Sequence, residues 1–289
     1  MSKWSGRSRG TVLGYCIFIK LIQWGGVKSA YRLLKFVSFY YYLFAASARK
    51  SIVQFYTQAL QMPKTKALAT CRQNFYCFGQ TLIDRIAFLT GKTQPFSHDF
   101  IHEEYLQKIQ QNGKGGILIS AHLGNWETAG NLLKKRITSN INVVMVEAEA
   151  QKIKQLLDHT TGGSQFKIIA IKDDLSHIIK ISNALAANEL IAMHGDRYTE
   201  DAKTISLTFL GKKAQFPLGP FLIASKFDAP VTFVFAVKKE AFHYQLSATL
   251  PITEKMKPEA IALLYVTELE KKVREYPEQW FNYYDFYSA

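Results

Sequence analysis

Between Gly115 and Asp196 the chain repeats one pattern: a short apolar run, polar residues at its end, then a longer stretch whose apolar positions recur at helical spacing. The runs "GGILISAH", "INVVMVEA", "FKIIAI" and "LIAMHGD" predict strands. The stretches between them, "NWETAGNLLKKR", "QKIKQLLDHT" and "LSHIIKISNALAAN", predict helices. Strands that are apolar throughout, alternating with helices, imply a mostly parallel sheet covered on both faces.

The pattern changes on either side of this region. "TISLTFLGKKAQFP" alternates with period two around Gly211, as a hairpin does. A short helix in "LGPFLIASKFD", strands in "APVTFVFAV" and "FHYQLSATL", and an amphipathic helix in "PEAIALLYVTELEKKVREYP" follow. Upstream, "KALATCRQNFYCFGQTLIDRIAFLTG" reads as a long helix stopped at Gly91. No repeat and no Gly/Ser/Pro-rich linker is evident, so the expectation is one α/β domain with a helical N-terminal region packed on it.

Charge changes the picture of that N-terminal region. The 289 residues carry 36 basic and 23 acidic side chains, a net charge of +13. An excess of this size points to anionic partners. Met1 to Ile83 contains no Asp or Glu, and its Lys and Arg separate thick apolar aromatic runs, "TVLGYCIFIKLIQW" and "FVSFYYYLFAAS". Basic residues set among aliphatic and aromatic clusters suit an anionic membrane surface better than nucleic acid. Lys20 and Lys35 keep both runs below the roughly 20 apolar residues that cross a bilayer, so a shallow interfacial hairpin is expected, with Trp24, Tyr40, Tyr41 and Tyr42 at the interface. The other reading is a pair of core helices with basic outer faces. No cleavage site follows an early apolar core, so no removed signal peptide is expected. Cys16, Cys71 and Cys77 have no metal-like spacing and read as buried free thiols of a reducing compartment.

Candidate chemistry gathers at two strand ends, where open parallel sheets bind ligands. In "ISAHLGNWETAG", His122 ends a strand, Gly124 allows a sharp turn, Asn125 suits an N-cap, and Glu127 falls in the first helical turn. One reading is a general base, His122, with Glu127 as the carboxylate that fixes its tautomer. A metal site is the rival, with His194 as its one credible further ligand, although the spacing does not match H-E-x-x-H and no metal is expected. A helix-capping role without chemistry is the third. Ser120 lacks the nucleophile elbow, so no covalent acyl-enzyme is implied. The second strand end, "AMHGDR", presents Asp196 and Arg197. Arg197 suits a planar grip on phosphate or carboxylate, or else a turn salt bridge with Asp196. Lys212 and Lys213 sit at the hairpin tip as further substrate-binding candidates or as a solvated turn.

"HLGNWE" resembles the H-x4-D/E block of the glycerolipid-type acyltransferases, and in this form that of the bacterial lipid A late (lauroyl/myristoyl-type) acyltransferases. "GDR" followed by "FLGKKAQFPLGPFLIASKFDAPVTFVF", and the closing "YPEQWFNYYDFY", resemble that family's downstream blocks, so the likeness spans about Gly115 to Tyr287. The resemblance implies a glycerolipid acyltransferase-like α/β fold with a mostly parallel central sheet flanked by helices. It implies a membrane-associating helical segment over residues 1–50 and an acyltransferase domain over 51–289. It further implies acyl transfer, with no cofactor, from an acyl carrier protein or CoA thioester to a lipid hydroxyl at the cytoplasmic face of the bacterial inner membrane. His122 would deprotonate the hydroxyl, Glu127 would hold His122, backbone amides around Gly124 and Asn125 would receive the oxyanion, and Asp196 and Arg197 would help position substrate.

The chain departs from the family at one place. Where many members carry an R-P-x-x-N-type segment, this one reads "MVEAEAQKIKQLLDHTTGGSQF", with Glu147 and Glu149 and no arginine from Met145 to Phe166. Other acceptors, such as a lysophospholipid or an aminolipid, and a hydrolase built on the same dyad therefore stay beside a lipid A precursor. A non-enzymatic basic membrane module is the reading from another class.

Overall fold

The computed structural model describes residues 12–133, 136–146, 166–172 and 174–287. Three helices open the chain: α1 (Val12–Phe44), α2 (Ala46–Gln58) and α3 (Lys64–Leu89). Next come β1 (Ser97–Ile101), α4 (Glu103–Gln111), β2 (Gly116–Ser120), α5 (Trp126–Leu133), β3 (Ile141–Val146), β4 (Lys167–Ile171), α6 (Ser176–Ala186) and β5 (Leu190–His194). The chain continues through β6 (Thr204–Phe209), β7 (Lys212–Pro217), α7 (Gly219–Lys226), β8 (Val231–Glu240), β9 (His243–Ala248) and α8 (Pro258–Glu275), and a 3-10 turn, Pro277–Gln279, follows.

Seven strands form one sheet in the order β1-β9-β8-β2-β5-β3-β4, parallel throughout except for the β8–β9 pair. The fold is thus α/β with a mostly parallel sheet flanked by helices, as the apolar runs imply. The central strand β2 is buried at all five positions, which is why "GILIS" shows no polar alternation. β6 and β7 form the separate antiparallel hairpin expected around Gly211. The predicted helix in "QKIKQLLDHT", and Glu147 and Glu149 before it, lie outside the described residues. Three elements have no counterpart of their own in the sequence reading, α2, β1 and α4. β1 is a short edge strand with alternating exposure, and its "SHDFI" carries too little apolar pattern to announce itself.

The N-terminal region combines the two readings offered for it. α1 is broken at Gly26, whose backbone lies at φ 71°, so its two parts bend instead of crossing as one rod. Ile22, Val27, Ala30, Tyr31 and Leu34 pack with Ile83, Ile86 and Ala87 of α3, a true core. The opposite face exposes Trp24, Phe36, Phe39, Tyr40, Leu43 and Phe44 among Lys28, Arg32 and Lys35. Of the tyrosines expected at an interface, Tyr40 is exposed, while Tyr41 and Tyr42 pack partly against the main core. Among the described residues no helix is long and apolar enough to cross a membrane. Cys71 is buried and Cys77 half-buried, as expected of inert thiols, but Cys16 is exposed.

Candidate active site

The site follows from strand register. β2 and β5 are parallel neighbours with Ser120 opposite His194. Two residues beyond each, the same register brings His122 beside Asp196 at the carboxyl edge of the sheet. Asp196 Oδ1 accepts from His122 Nδ1 at 2.8 Å, and Oδ2 accepts from the His122 backbone N–H at 2.9 Å. Trp280 Nε1 also donates to Oδ2, at 3.1 Å, the third donor to the carboxylate. Burial alone would raise the Asp196 carboxyl. The His122 charge and hydrogen bond outweigh it, with help from Arg197 and His194, and hold the group well below the usual carboxylate range. An ionised carboxylate on Nδ1 fixes the proton there and leaves Nε2 as the basic nitrogen. Among the described residues Nε2 has no hydrogen-bond partner, and about 15% of the His122 side chain remains accessible.

Glu127, expected to hold His122, lies elsewhere: after Gly124 the chain turns into α5, and the Glu127 carboxylate accepts from Arg85 of α3 at 2.8 Å. The carboxylate bonded to the His122 ring is that of Asp196. Sequence spacing named the nearest acidic residue along the chain, whereas the register of parallel strands selects the nearest one in space.

The amides expected to receive an oxyanion are also occupied. Gly124 N–H donates to the Gln279 carbonyl at 2.9 Å and Asn125 N–H to the Ala236 carbonyl at 2.8 Å. Gly124 sits at φ 70°, and a Cβ there would lie 1.9 Å from the Ala236 oxygen, so glycine is required both for the conformation and for the close approach. Asn125 does cap α5: its Oδ1 accepts from Thr128 N–H at 3.1 Å. Its Nδ2 donates to the Tyr244 hydroxyl at 3.1 Å, tying the turn to the core.

The C-terminal segment supplies a wall that sequence spacing alone did not reveal. Residues after the 3-10 turn run alongside the His122 loop, with Leu123 bridged to Trp280 and Phe281 N–H donating to the His122 carbonyl at 3.0 Å. Trp280 is held by Phe55, Phe209 and Phe286, with ring centroids 4.7, 5.4 and 4.9 Å away. Aromatic pairs of this kind contribute about 0.5–1.5 kcal/mol each beyond burial. The "PEQW" motif was the available signal, but only as part of a family likeness.

Arg197, read either as a grip on phosphate or carboxylate or as a turn salt bridge with Asp196, joins this wall, its guanidinium donating to the Phe281 carbonyl. Lys212 and Lys213 open β7, and no contact among the described residues links either with His122 or Asp196. Lys212 Nζ donates to Gln58 at 3.0 Å and lies over the Tyr287 ring.

A narrow apolar cavity of about 70 Å³ lies between the sheet and α5, lined by Leu118, Trp126, Leu133, Val143, Phe166 and His194 among others; His122 does not line it and meets it through the His194 ring. The His194 ring lies 4.3 Å from that of His122 and 5.0 Å from that of Trp126. His122, His194 and Asp196 each bring a donor atom, all within 4.8 Å of one another, the one group among the described residues that could hold a metal ion. The donor set argues against that use. Asp196 already accepts three hydrogen bonds, one from the ring nitrogen of His122, and a metal would have to displace them.

An imidazole held by a buried carboxylate at one nitrogen and open at the other is an arrangement able to take a proton from a hydroxyl. No curated protein sequence matches the chain. The sequence profile of the bacterial lipid A biosynthesis acyltransferases, however, matches residues 10–283, nearly its whole length. The chain belongs to that family and is an acyltransferase.

Proposed function

We propose that the protein transfers a fatty acyl chain from an acyl carrier protein or CoA thioester to a hydroxyl of a lipid A precursor. His122 Nε2 takes the hydroxyl proton, Asp196 holds the Nδ1 proton and stabilises the imidazolium, and the alkoxide attacks the thioester carbon. The tetrahedral intermediate collapses by breaking the C–S bond, and the departing thiolate recovers the proton from His122. No covalent enzyme intermediate and no cofactor enter these steps. The observation that carries the reading is the His122–Asp196 pair, with the His122 ring stacked on His194 at the edge of an apolar cavity. In this reading the thioester lies at the imidazole and the first carbons of its acyl chain meet that apolar lining. Glu127, paired with Arg85, is a positioning residue at the start of α5, and Gly124 and Asn125 shape the turn that presents His122.

The exposed aromatic and basic face of α1 supports docking on an anionic bilayer, which we assign to the cytoplasmic face of the bacterial inner membrane. Lys and Arg there would meet lipid phosphates while Trp24, Phe36 and Phe44 enter the interface. The same positive field suits an acidic carrier protein; no nucleic acid is a partner in this reading. Mass spectrometry of membrane lipids from cells with and without the gene tests the acceptor. Loss of one acyl chain from lipid A is expected. An unchanged lipid A accompanied by a missing chain on a phospholipid or aminolipid would move the assignment to that acceptor.

A further inference from the structure

With the Gly124 and Asn125 amides already bonded to the Gln279 and Ala236 carbonyls, the oxyanion of the tetrahedral intermediate lacks its expected donors. One polar side chain beside the base has no use in the mechanism above. His194 ends β5, lines the apolar cavity, and packs its ring against His122 on one side and Trp126 on the other. Both of its ring nitrogens are shut off from solvent and neither makes a hydrogen bond of ordinary geometry, the Ser120 carbonyl offering at most a weak backbone contact. Burial, and next the neighbouring His122 charge, push its pKa well below the usual histidine range. A neutral imidazole carries one N–H, and a buried donor left without an acceptor costs about 1–3 kcal/mol.

We propose that His194 is the oxyanion donor: its imidazole N–H hydrogen-bonds the thioester carbonyl oxygen at the cavity mouth and holds the negative charge when the alkoxide adds. This assignment rests on the reading of His122 as the base. As the acceptor oxygen bonds to the carbonyl carbon, the C=O π pair moves to oxygen opposite His194. When the C–S bond breaks, the pair returns and the thiolate takes the proton from His122. His194 keeps its own proton throughout, so the charge balance of the base cycle is untouched. A neutral donor also suits its place, because a charged imidazole there would repel the His122 imidazolium formed in the same step.

The test compares H194F, H194Q and H122A in the purified full chain, with acyl carrier protein and CoA thioesters of lauroyl, myristoyl and palmitoyl chains offered with lipid A precursor. H194F keeps the ring and removes the N–H. Its kcat is expected to fall about 100-fold or more, the usual cost of one oxyanion donor, with KM for the thioester little changed. Its melting temperature should stay level or rise, since an unpaired buried polar group is lost. H194Q, which retains an N–H donor, should recover part of the rate. If H194F melts below the assay temperature, H194M, with its adaptable side chain, takes its place with the same expectation. A near-wild-type kcat in folded H194F or H194M, with H122A inactive, overturns the donor role and leaves the base intact. A near-wild-type rate in H122A would instead remove the base reading itself. Wild-type turnover lost to a chelator and restored by zinc would assign the His194 nitrogens to a metal and also overturn the proposal.

Discussion

Two carboxylates stand near His122, and they differ in how the chain brought them there. Glu127 is five positions away in sequence but turns into α5 and pairs with Arg85. Asp196 is seventy-four positions away, yet it accepts from both the ring and the backbone of His122 because parallel β2 and β5 carry the same register past their ends. Proximity along a chain lasts only until the first turn, whereas strand pairing fixes distance across any separation. The difference teaches that the "HLGNWE" block supplies the histidine and a turn, while the carboxylate that accepts from the histidine ring comes from the "GDR" block.

The largest effect that bears on this comparison is H122A, which removes the base. Its kcat should fall about 100- to 10,000-fold, the usual range for a general base, while circular dichroism stays native. Next is D196N, which keeps the shape but loses the anion that fixes the His122 tautomer. A loss of comparable order is expected in kcat with a smaller change in KM, measured on the same acyl thioester.

Stability effects come below these. In K238M the buried Asp84 loses its cation. The two form an ion pair with 10% and 0% of their side chains exposed, and Tyr31 and Tyr244 hydroxyls also donate to Asp84. Burial, the strongest influence, already raises Asp84 above the usual carboxylate range against the pull of Lys238, the opposite of Asp196. Breaking such a pair costs about 3–5 kcal/mol, to be read from urea denaturation. Because Tyr244 donates to Asp84 and accepts from Asn125, which caps α5 beside His122, activity should fall along with folding.

The smallest effect is a pH dependence. Lys167 foremost, then Asn142 and Asn140, hold the Glu189 carboxyl down to about 2 from an ordinary 4.5. A depressed carboxylate adds stability above its unfolded pKa and loses it as pH falls through the folded one. Melting temperature should therefore decline between about pH 4.5 and 2, and E189Q should flatten that decline.

The sheet was legible because buried parallel strands are apolar at every position, and β2, β3 and β5 announce themselves that way. β1 and α4 were not, since an edge strand with alternating exposure gives little signal. His122 and Asp196 were both legible as strand-end polar residues, but their partnership was not, because only the strand order β2-β5 makes them neighbours. The occupied amides of Gly124 and Asn125 depend on the Gln279 and Ala236 carbonyls, contacts that no local pattern encodes. His194 stood in the same "AMHGDR" segment, yet the burial of its ring nitrogens without a hydrogen bond of ordinary geometry is visible only once β5 is packed.

The most direct measurement of which carboxylate serves the base is the kcat of D196N beside that of E127Q, each shown to be folded, on one donor and acceptor. D196N is expected to lose at least about tenfold more than E127Q, as tautomer control requires. An E127Q loss equal to or greater than that of D196N would contradict the assignment of Asp196 and return the orienting role to Glu127.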